Sequence, residues 1–191
     1  MRRIAITGGI ATGKSTLRSR LISRGLRVLD ADELAHECLR EETIRSLIAA
    51  RFGPEILGVN GEIDRKSLSS LAFDNGSHLE FLERLIHPCV NAKIDQIAGN
   101  QSGMLFVEVP LLQSARKYDL VINVHSPLDV RIDRLQLRGL SPEESARIMS
   151  HQASDLEYAQ SADFQIDGTL SPKALDAALD AILDELQGDS R

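Results

Sequence analysis

The run Ile4-Ala5-Ile6-Thr7-Gly8-Gly9-Ile10-Ala11-Thr12-Gly13-Lys14-Ser15-Thr16-Leu17 decides how the rest of the chain is read. From Gly8 to Ser15 it fits a glycine, four free positions, then glycine, lysine and a hydroxyl residue, the pattern of a phosphate-binding loop. Gly8 and Gly13 permit backbone angles and close approach that a β-carbon would block, so successive amides can turn inward around a polyphosphate. Lys14 brings a point charge toward the terminal phosphates, and the Ser15 hydroxyl is placed to hold Mg2+. Upstream, Ile4, Ala5 and Ile6 make the short apolar run of a buried parallel strand. Downstream, Leu17, Leu21 and Ile22 recur at helical spacing until Gly25, so the positive end of a helix points at the anion. A glycine-rich turn with a surface lysine shares the letters but lacks that context. The chain is read as binding a nucleoside polyphosphate.

With 191 residues the chain suits one domain with insertions. Its 42% hydrophobic and 26% charged residues are ordinary for a folded soluble protein. A net charge of −6 argues against a protein that coats nucleic acid. Seven basic residues crowd the first 30 positions against a single acid, Asp30, which suits an anionic ligand; Arg18, Arg20 and Arg24 read as solvated helix-face arginines. Cys38 and Cys89, the 2 cysteines, lack metal-ligand spacing and read as buried free thiols of a reducing compartment. No stretch approaches the ~20 apolar residues of a membrane helix, and the N-terminus enters a strand directly. The expected setting is the cytoplasm, with no membrane and no nucleic-acid partner.

A second strand over 26–29 ends at Asp30-Ala31-Asp32, carboxylates at the strand end where open α/β sheets bind ligands. Asp30 suits a helix cap and Asp32 is the better candidate for chemistry, although both can be caps or solvated acids. From 33 to 100 the pattern is helical and too long for a simple crossover. It gives an amphipathic segment over 43–52, a turn over 58–61, a helix over 64–73 capped by Asp64, and a longer one introduced by a Ser77/Glu80 capping box. Pro88 predicts a kink or break after His87. His87 itself is open to two readings, a ligand contact or a packing residue. This helical insertion is where a second substrate is expected.

A third strand over 104–109 holds Glu108 in an apolar run, a placement that is costly unless the carboxylate is paired or meets a bound metal. The expectation is a Mg2+ ligand. A fourth strand spans 120–124, and Ser126-Pro127 starts a helix with proline at its first position. That helix carries Arg131, Arg134 and Arg138, the last two on one face, and Ser141-Pro142 with Glu144 restarts a helix after a short hinge. The reading is a lid that carries arginines over the transferred phosphate and excludes water; a solvated charged helix is the alternative. A final strand over 162–166 precedes a terminal helix from Ser171-Pro172. The fold class is α/β, a five-stranded parallel sheet sandwiched by helices, with a helical substrate-binding insertion and a small lid. The single domain divides into a core at about 1–32, 101–130 and 156–191, an insertion at about 33–100 and a lid at about 131–155.

Taken in order, several short stretches resemble the dephospho-CoA kinase family over most of the chain. They are Thr7-Gly8-Gly9-Ile10 running into Gly13-Lys14-Ser15, Asp30-Ala31-Asp32, Gly61-x-Ile63-x-Arg65 and Leu85-Ile86-His87-Pro88. Val109-Pro110-Leu111-Leu112, the Arg134/Arg138 pair, Arg147-Ile148-x-x-x-Gln152 and Ala162-Asp163 complete the set. The resemblance implies a P-loop kinase that transfers the γ-phosphoryl group of ATP to the ribose 3′-hydroxyl of dephospho-CoA, as a monomer or weak homo-oligomer. It implies a nucleotide-binding set of Gly9, Ile10, Ala11, Thr12, Gly13, Lys14, Ser15 and Thr16. Lys14, Asp32, Arg65 and Arg138 become the catalytic set, with Asp32 orienting or deprotonating the hydroxyl and Arg138 meeting the phosphates from the lid. Thr7, Asp32, Arg65 and His87 form the substrate-binding set, and Ser15 with Glu108 the metal set. Ala11 departs from the family's usual glycine and tests whether that position needs a positive φ; Gly139 replaces an acid that commonly follows the lid arginine.

Two other classes compete. Another nucleoside or nucleotide kinase shares loop, lid and sheet, and is separated by the acceptor region. A GTPase switch needs a guanine-reading Asn-Lys-x-Asp, which the sequence lacks.

Overall fold

The computed structural model describes residues 1–99, 102–110, 112–115 and 117–188, without the side chains of Phe73 and Asp74. Leu111 of the Val109-Pro110-Leu111-Leu112 stretch lies outside the described residues, as do positions 100 and 101, where the insertion was expected to end. In chain order the elements are β1 (Arg2–Thr7), α1 (Lys14–Ser23), β2 (Arg27–Asp30), α2 (Ala31–Cys38), α3 (Glu42–Phe52), a 3₁₀ turn (Pro54–Ile56), α4 (Arg65–Asp74), α5 (Gly76–Ala98), β3 (Met104–Glu108), α6 (Leu112–Ala115), β4 (Leu120–His125), α7 (Leu128–Leu137), α8 (Pro142–Ser150), α9 (Asp155–Gln160), β5 (Phe164–Asp167) and α10 (Pro172–Gly188). They form two units, one of Met1–Asp30 with Ser102–Arg191 and one of Ala31–Gln101.

The first unit is built on a parallel sheet of order β2-β3-β1-β4-β5. β1 sits at its centre because Ile4, Ala5, Ile6 and Thr7 are all fully buried, which a parallel strand covered on both faces requires. Ile4, Ile6, Phe106, Ile122, Val124 and Ile166 pack with Leu17 and Leu21 of α1 and with the apolar stripe Leu175, Leu179, Ile182 and Leu186 of α10. Burying six or more such side chains at ~2 kcal/mol each holds the sheet against α1 and α10. Register then places the C-terminal strand ends side by side: Asp30 and Ile6 are each level with Glu108, Thr7 with Asn123, and His125 with Asp167. In open α/β sheets this is the edge where ligands bind.

Both helices that leave this edge are stopped by a glycine. After α1, Gly25 at φ 74° donates to Ile22 O and Leu26 donates to Leu21 O. After α7, Gly139 at φ 87° donates to Gln136 O and Leu140 to Leu135 O. Each is the left-handed residue of a Schellman stop, so Gly139 is what ends α7. α7 begins at Leu128, one residue after the expected proline start, with Pro127 as its N-cap. The capping box of Ser141 and Glu144 opens α8 as expected. The arginines of α1 are paired and not merely solvated: Arg18 meets Asp30 at 2.7 Å, Arg20 meets Asp176 at 3.2 Å, and Arg24 meets Asp176 and Asp180 at 2.9 and 3.0 Å. The acids of α10 fall opposite α1, a pairing that a local reading of α1 cannot contain.

The second unit is helical, with Leu34, Ile44, Ile48, Ile56, Leu68, Leu82, Val90 and Ile94 buried among α2 to α5. Asp64 caps α4 by accepting from the amides of Lys66 and Ser67. α5 opens two positions earlier than expected: Asn75, and not a Ser77/Glu80 box, is the cap, accepting from Ser77 N at 2.9 Å. The break expected at Pro88 is absent, and α5 runs for 23 residues with Pro88 inside it. Leu82 on one side of the proline and Val90, Ile94 and Ala98 on the other are buried, so packing outweighs the one lost backbone hydrogen bond. The expectation of free thiols is also corrected. Cys38 at the end of α2 and Cys89 in α5 form a disulfide across 51 residues of sequence, because α2 packs on α5 and brings their Cα atoms to 6.1 Å.

Candidate active site

The loop after β1 is held from outside by side chains of the segment 126–152. Arg131 Nε donates to Ile10 O at 3.0 Å, Arg134 Nη1 donates to Ala11 O at 2.9 Å, and Ser126 Oγ donates to Thr12 O at 2.8 Å. Three successive carbonyls thus face the clamp. In a planar trans peptide the next amide points the opposite way, so the N–H groups of Ala11, Thr12 and Gly13 turn to the loop's inner face. That arrangement is a preformed anion cradle. Gln152 Oε1 accepts from Ile10 N at 2.8 Å, and Arg134 Nη2 also donates to Gly168 O at 2.8 Å. Arg131 is only 5% exposed, a burial its charge tolerates because Asp155 lies 2.9 Å from its Nη1 and Ile10 O accepts from its Nε.

Ala11 carries a φ of 61°, the one positive value outside glycine among the described residues. The departure from a glycine therefore falls on a position whose backbone is left-handed, and the clamp on its carbonyl holds it there. Gly8 and Gly168 serve close approach. A β-carbon on Gly8 would overlap the Val124 carbonyl, and one on Gly168 would overlap the Thr12 carbonyl. Lys14 Nζ donates to Gly8 O and Gly9 O, each at 2.9 Å, so the ammonium lies over the mouth of the loop. Gly13 caps α1 with no side-chain hydrogen bond, which leaves the helix start to an anion. Ser15 and Thr16 occupy the first turn of α1, with Thr16 N donating to Gly13 O.

At the adjoining strand ends, Thr7 is fully buried and its Oγ1 has no hydrogen-bond partner among the described residues; Asn123 Oδ1, level with it on β4, is in the same position. Glu108 ends β3 with Oε2 buried. Asp30, at the end of β2, meets Arg18 at 2.7 Å. Asp167 accepts from Thr169 N and Thr169 Oγ1 at 2.8 and 2.7 Å, and the Thr169 hydroxyl above all holds its carboxyl below the usual range. Arg138 is the exposed C-cap residue of α7. The expected arginine trio is thereby split. Arg131 and Arg134 grip the loop backbone, and only Arg138 projects from the helix end.

In the second unit, Asp32 is exposed in the first turn of α2 and Arg65 is the first residue of α4. Arg65 Nη1 stands 3.0 Å from the ring nitrogens of His36, one helical turn after Asp32. Asp32 and His36 share a face of α2, so Arg65 is brought to the acid's side of that helix. His87 is half-buried within α5. The sequence reading missed His36, whose signal was its four-residue spacing from Asp32. It also gave Ser126 no site role, since its contact to Thr12 spans 114 residues.

The residues 2–172 match the family model described as dephospho-CoA kinase. A dephospho-CoA kinase of Leifsonia xyli subsp. xyli is 37% identical, with 89% of this chain and 92% of the relative aligned. One of Anaeromyxobacter dehalogenans is 36% identical over 98% and 93%. Among solved structures, a Thermus thermophilus protein shares a TM-score of 0.83 at 34% identity, covering 97% of both chains. The dephospho-CoA kinase from Campylobacter jejuni shares 0.72 at 27%, covering both chains in full. A shikimate kinase from Acinetobacter baumannii, at 0.53 and 15%, shares the fold. The chain belongs to the dephospho-CoA kinase family, whose members use ATP to phosphorylate the ribose 3′-hydroxyl of dephospho-CoA, the last step of coenzyme A biosynthesis.

Proposed function

We propose that the clamped loop receives the triphosphate, that Lys14 neutralises its β- and γ-phosphates, and that the unit 31–101 receives dephospho-CoA. The observation that carries this reading is the outward anchoring of the Ile10, Ala11 and Thr12 carbonyls, which presents an inward row of amides with no reorganisation at the moment of binding. Gly9 and Thr16 complete the nucleotide-binding set. Mg2+ fits the donors present, since the Ser15 hydroxyl and the Glu108 carboxylate are hard oxygen ligands. When bound it neutralises charge on the β- and γ-phosphates.

Phosphoryl transfer then needs an acceptor oxygen that is aligned and relieved of its proton. Asp32 takes that role, accepting the hydrogen of the 3′-hydroxyl. Arg65, steadied by His36, holds the acceptor's anionic end, with Thr7 and His87 as further substrate contacts. Arg138, exposed at the end of α7, meets the phosphates when the segment 131–155 acts as a lid. The division into a core, an insertion at about 33–100 and this lid belongs to the same proposal. So do the cytoplasmic setting, a monomer or weak homo-oligomer, and the absence of membrane and nucleic-acid partners. The charge of −6 supports the last of these. No helix among the described residues is long and apolar enough to cross a membrane.

Asp32→Asn keeps shape and removes the proton acceptor. ATP affinity measured by calorimetry should hold, while single-turnover transfer falls by roughly 10²-fold or more. Normal turnover in Asp32→Asn would remove Asp32 from the chemistry. Lys14→Ala should abolish turnover altogether.

A further inference from the structure

The disulfide between Cys38 and Cys89 is not explained by the kinase reaction, and the substrate of that reaction is itself a thiol. Cys38 is fully buried, whereas Cys89 is partly exposed, so an incoming nucleophile meets the Cys89 sulfur. Glu41 Oε1 lies 3.3 Å from Cys89 Sγ, and all three groups, Cys38, Glu41 and Cys89, have ligand atoms within 4.8 Å of one another. A disulfide sulfur has no proton to donate to that carboxylate. A Cys89 thiol has one, so the reduced state gains a hydrogen bond at a place already formed. Lys93 Nζ stands 3.1 Å from the same Glu41 oxygen and offsets its charge toward an approaching thiolate. Both redox states of Cys89 are thus accommodated, which marks a reversible site.

We propose that Cys89 is a thiol-exchange site for the pantetheine thiol of dephospho-CoA or coenzyme A, with Cys38 as the resolving cysteine. The identity of the thiol rests on the family's reaction. The substrate thiolate attacks Cys89 Sγ; a new sulfur–sulfur bond forms there, the Cys38–Cys89 bond breaks, and Cys38 leaves as a thiolate that takes a proton from solvent. A second substrate thiolate attacking the substrate sulfur of that mixed disulfide releases the symmetrical substrate disulfide and leaves Cys89 as a thiol. Two electrons pass from two substrate thiols to the protein disulfide, with no other oxidant or reductant. The acceptor-side candidates Asp32, Arg65 and His87 belong to the same unit, 31–101. A substrate held there by its nucleotide end presents its thiol at a raised effective concentration, which separates it from unrelated thiols. Opening the bond also removes the cross-link between α2, which carries Asp32 and His36, and α5, which carries His87.

The full chain is oxidised to the disulfide, checked by thiol titration, and incubated anaerobically without ATP. Dephospho-CoA, glutathione or S-methyl dephospho-CoA is supplied at equal concentration, and peptides are mapped by mass under non-reducing conditions. One dephospho-CoA should appear on the Cys89 peptide with Cys38 open to alkylation, about tenfold faster than the glutathione adduct. S-methyl dephospho-CoA should leave no adduct. Absence of any adduct, attachment at Cys38, or equal rates with glutathione overturns the proposal. In Cys38→Ser the adduct formed from dephospho-CoA disulfide should persist, and in Cys89→Ser it should not form; an adduct in Cys89→Ser is the contrary result. ADP release with S-methyl dephospho-CoA reports the kinase reaction without exchange, so failure of either reading is seen separately.

Discussion

Ala11 and Asp167 show how single residues set the loop. An alanine at φ 61° stores about 1 kcal/mol or more of backbone strain, which the Arg134 hydrogen bond to its carbonyl helps to hold. Ala11→Gly should therefore raise the unfolding free energy by up to about 1 kcal/mol, less what the freer unfolded chain takes back, as read from urea unfolding. A loss of stability would mean that the strain is not there. Asp167 has its carboxyl held below the usual range, first by the Thr169 hydroxyl and then by the Thr169 amide. A depressed folded value means stability that is present at neutral pH and lost as pH falls through it, starting near ~pH 4 where the unfolded carboxyl takes up its proton. Asp167→Asn should be less stable than the parent at pH 7 and lose less on acidification, compared by unfolding midpoints across pH. Parallel acid limbs for the two chains would exclude Asp167 as a source of that slope.

At the scale of elements, α7 works as a clamp on the loop: Arg131 and Arg134 meet its carbonyls, where the lid reading carried the arginines over the transferred phosphate. Arg134→Ala frees the carbonyls of Ala11 and Gly168 together. It should raise KM for ATP by about tenfold, with KM for dephospho-CoA unchanged. A selective rise on the dephospho-CoA side would place Arg134 with the acceptor instead. The elements themselves were legible where the signal is local: the apolar run Ile4-Ala5-Ile6, the Gly25 stop, the Asp64 cap and the Ser141/Glu144 box all act within a few residues. What escaped acts over distance. The ion pairs of Arg20 and Arg24 lie 156 residues away on α10, the Ser126 contact to Thr12 spans 114, and the bond to Cys89 needs α2 packed on α5 before the sulfurs can meet. Pro88 makes the same point from the other side, since a local rule predicted a break that buried neighbours on either flank override.

Over the whole molecule, the sheet order β2-β3-β1-β4-β5 collects Asp30, Glu108, Thr7, Asn123 and Asp167 at one edge from five separate strands. The glycine-lysine loop and this edge were readable from Gly8, Lys14 and the apolar runs. The acceptor side was not readable from spacing alone: Asp32 and Arg65 are 33 positions apart, and His36, which the fold places beside Arg65, carries no motif of its own. A common kinase scaffold also serves other acceptors, so the acceptor is where the account is most exposed. The most direct test is ADP release from MgATP with dephospho-CoA, run beside AMP, CMP, adenosine and shikimate. The account predicts turnover with dephospho-CoA alone, lost in Lys14→Ala; turnover with any of the other acceptors, or ATP binding without transfer to dephospho-CoA, would contradict it.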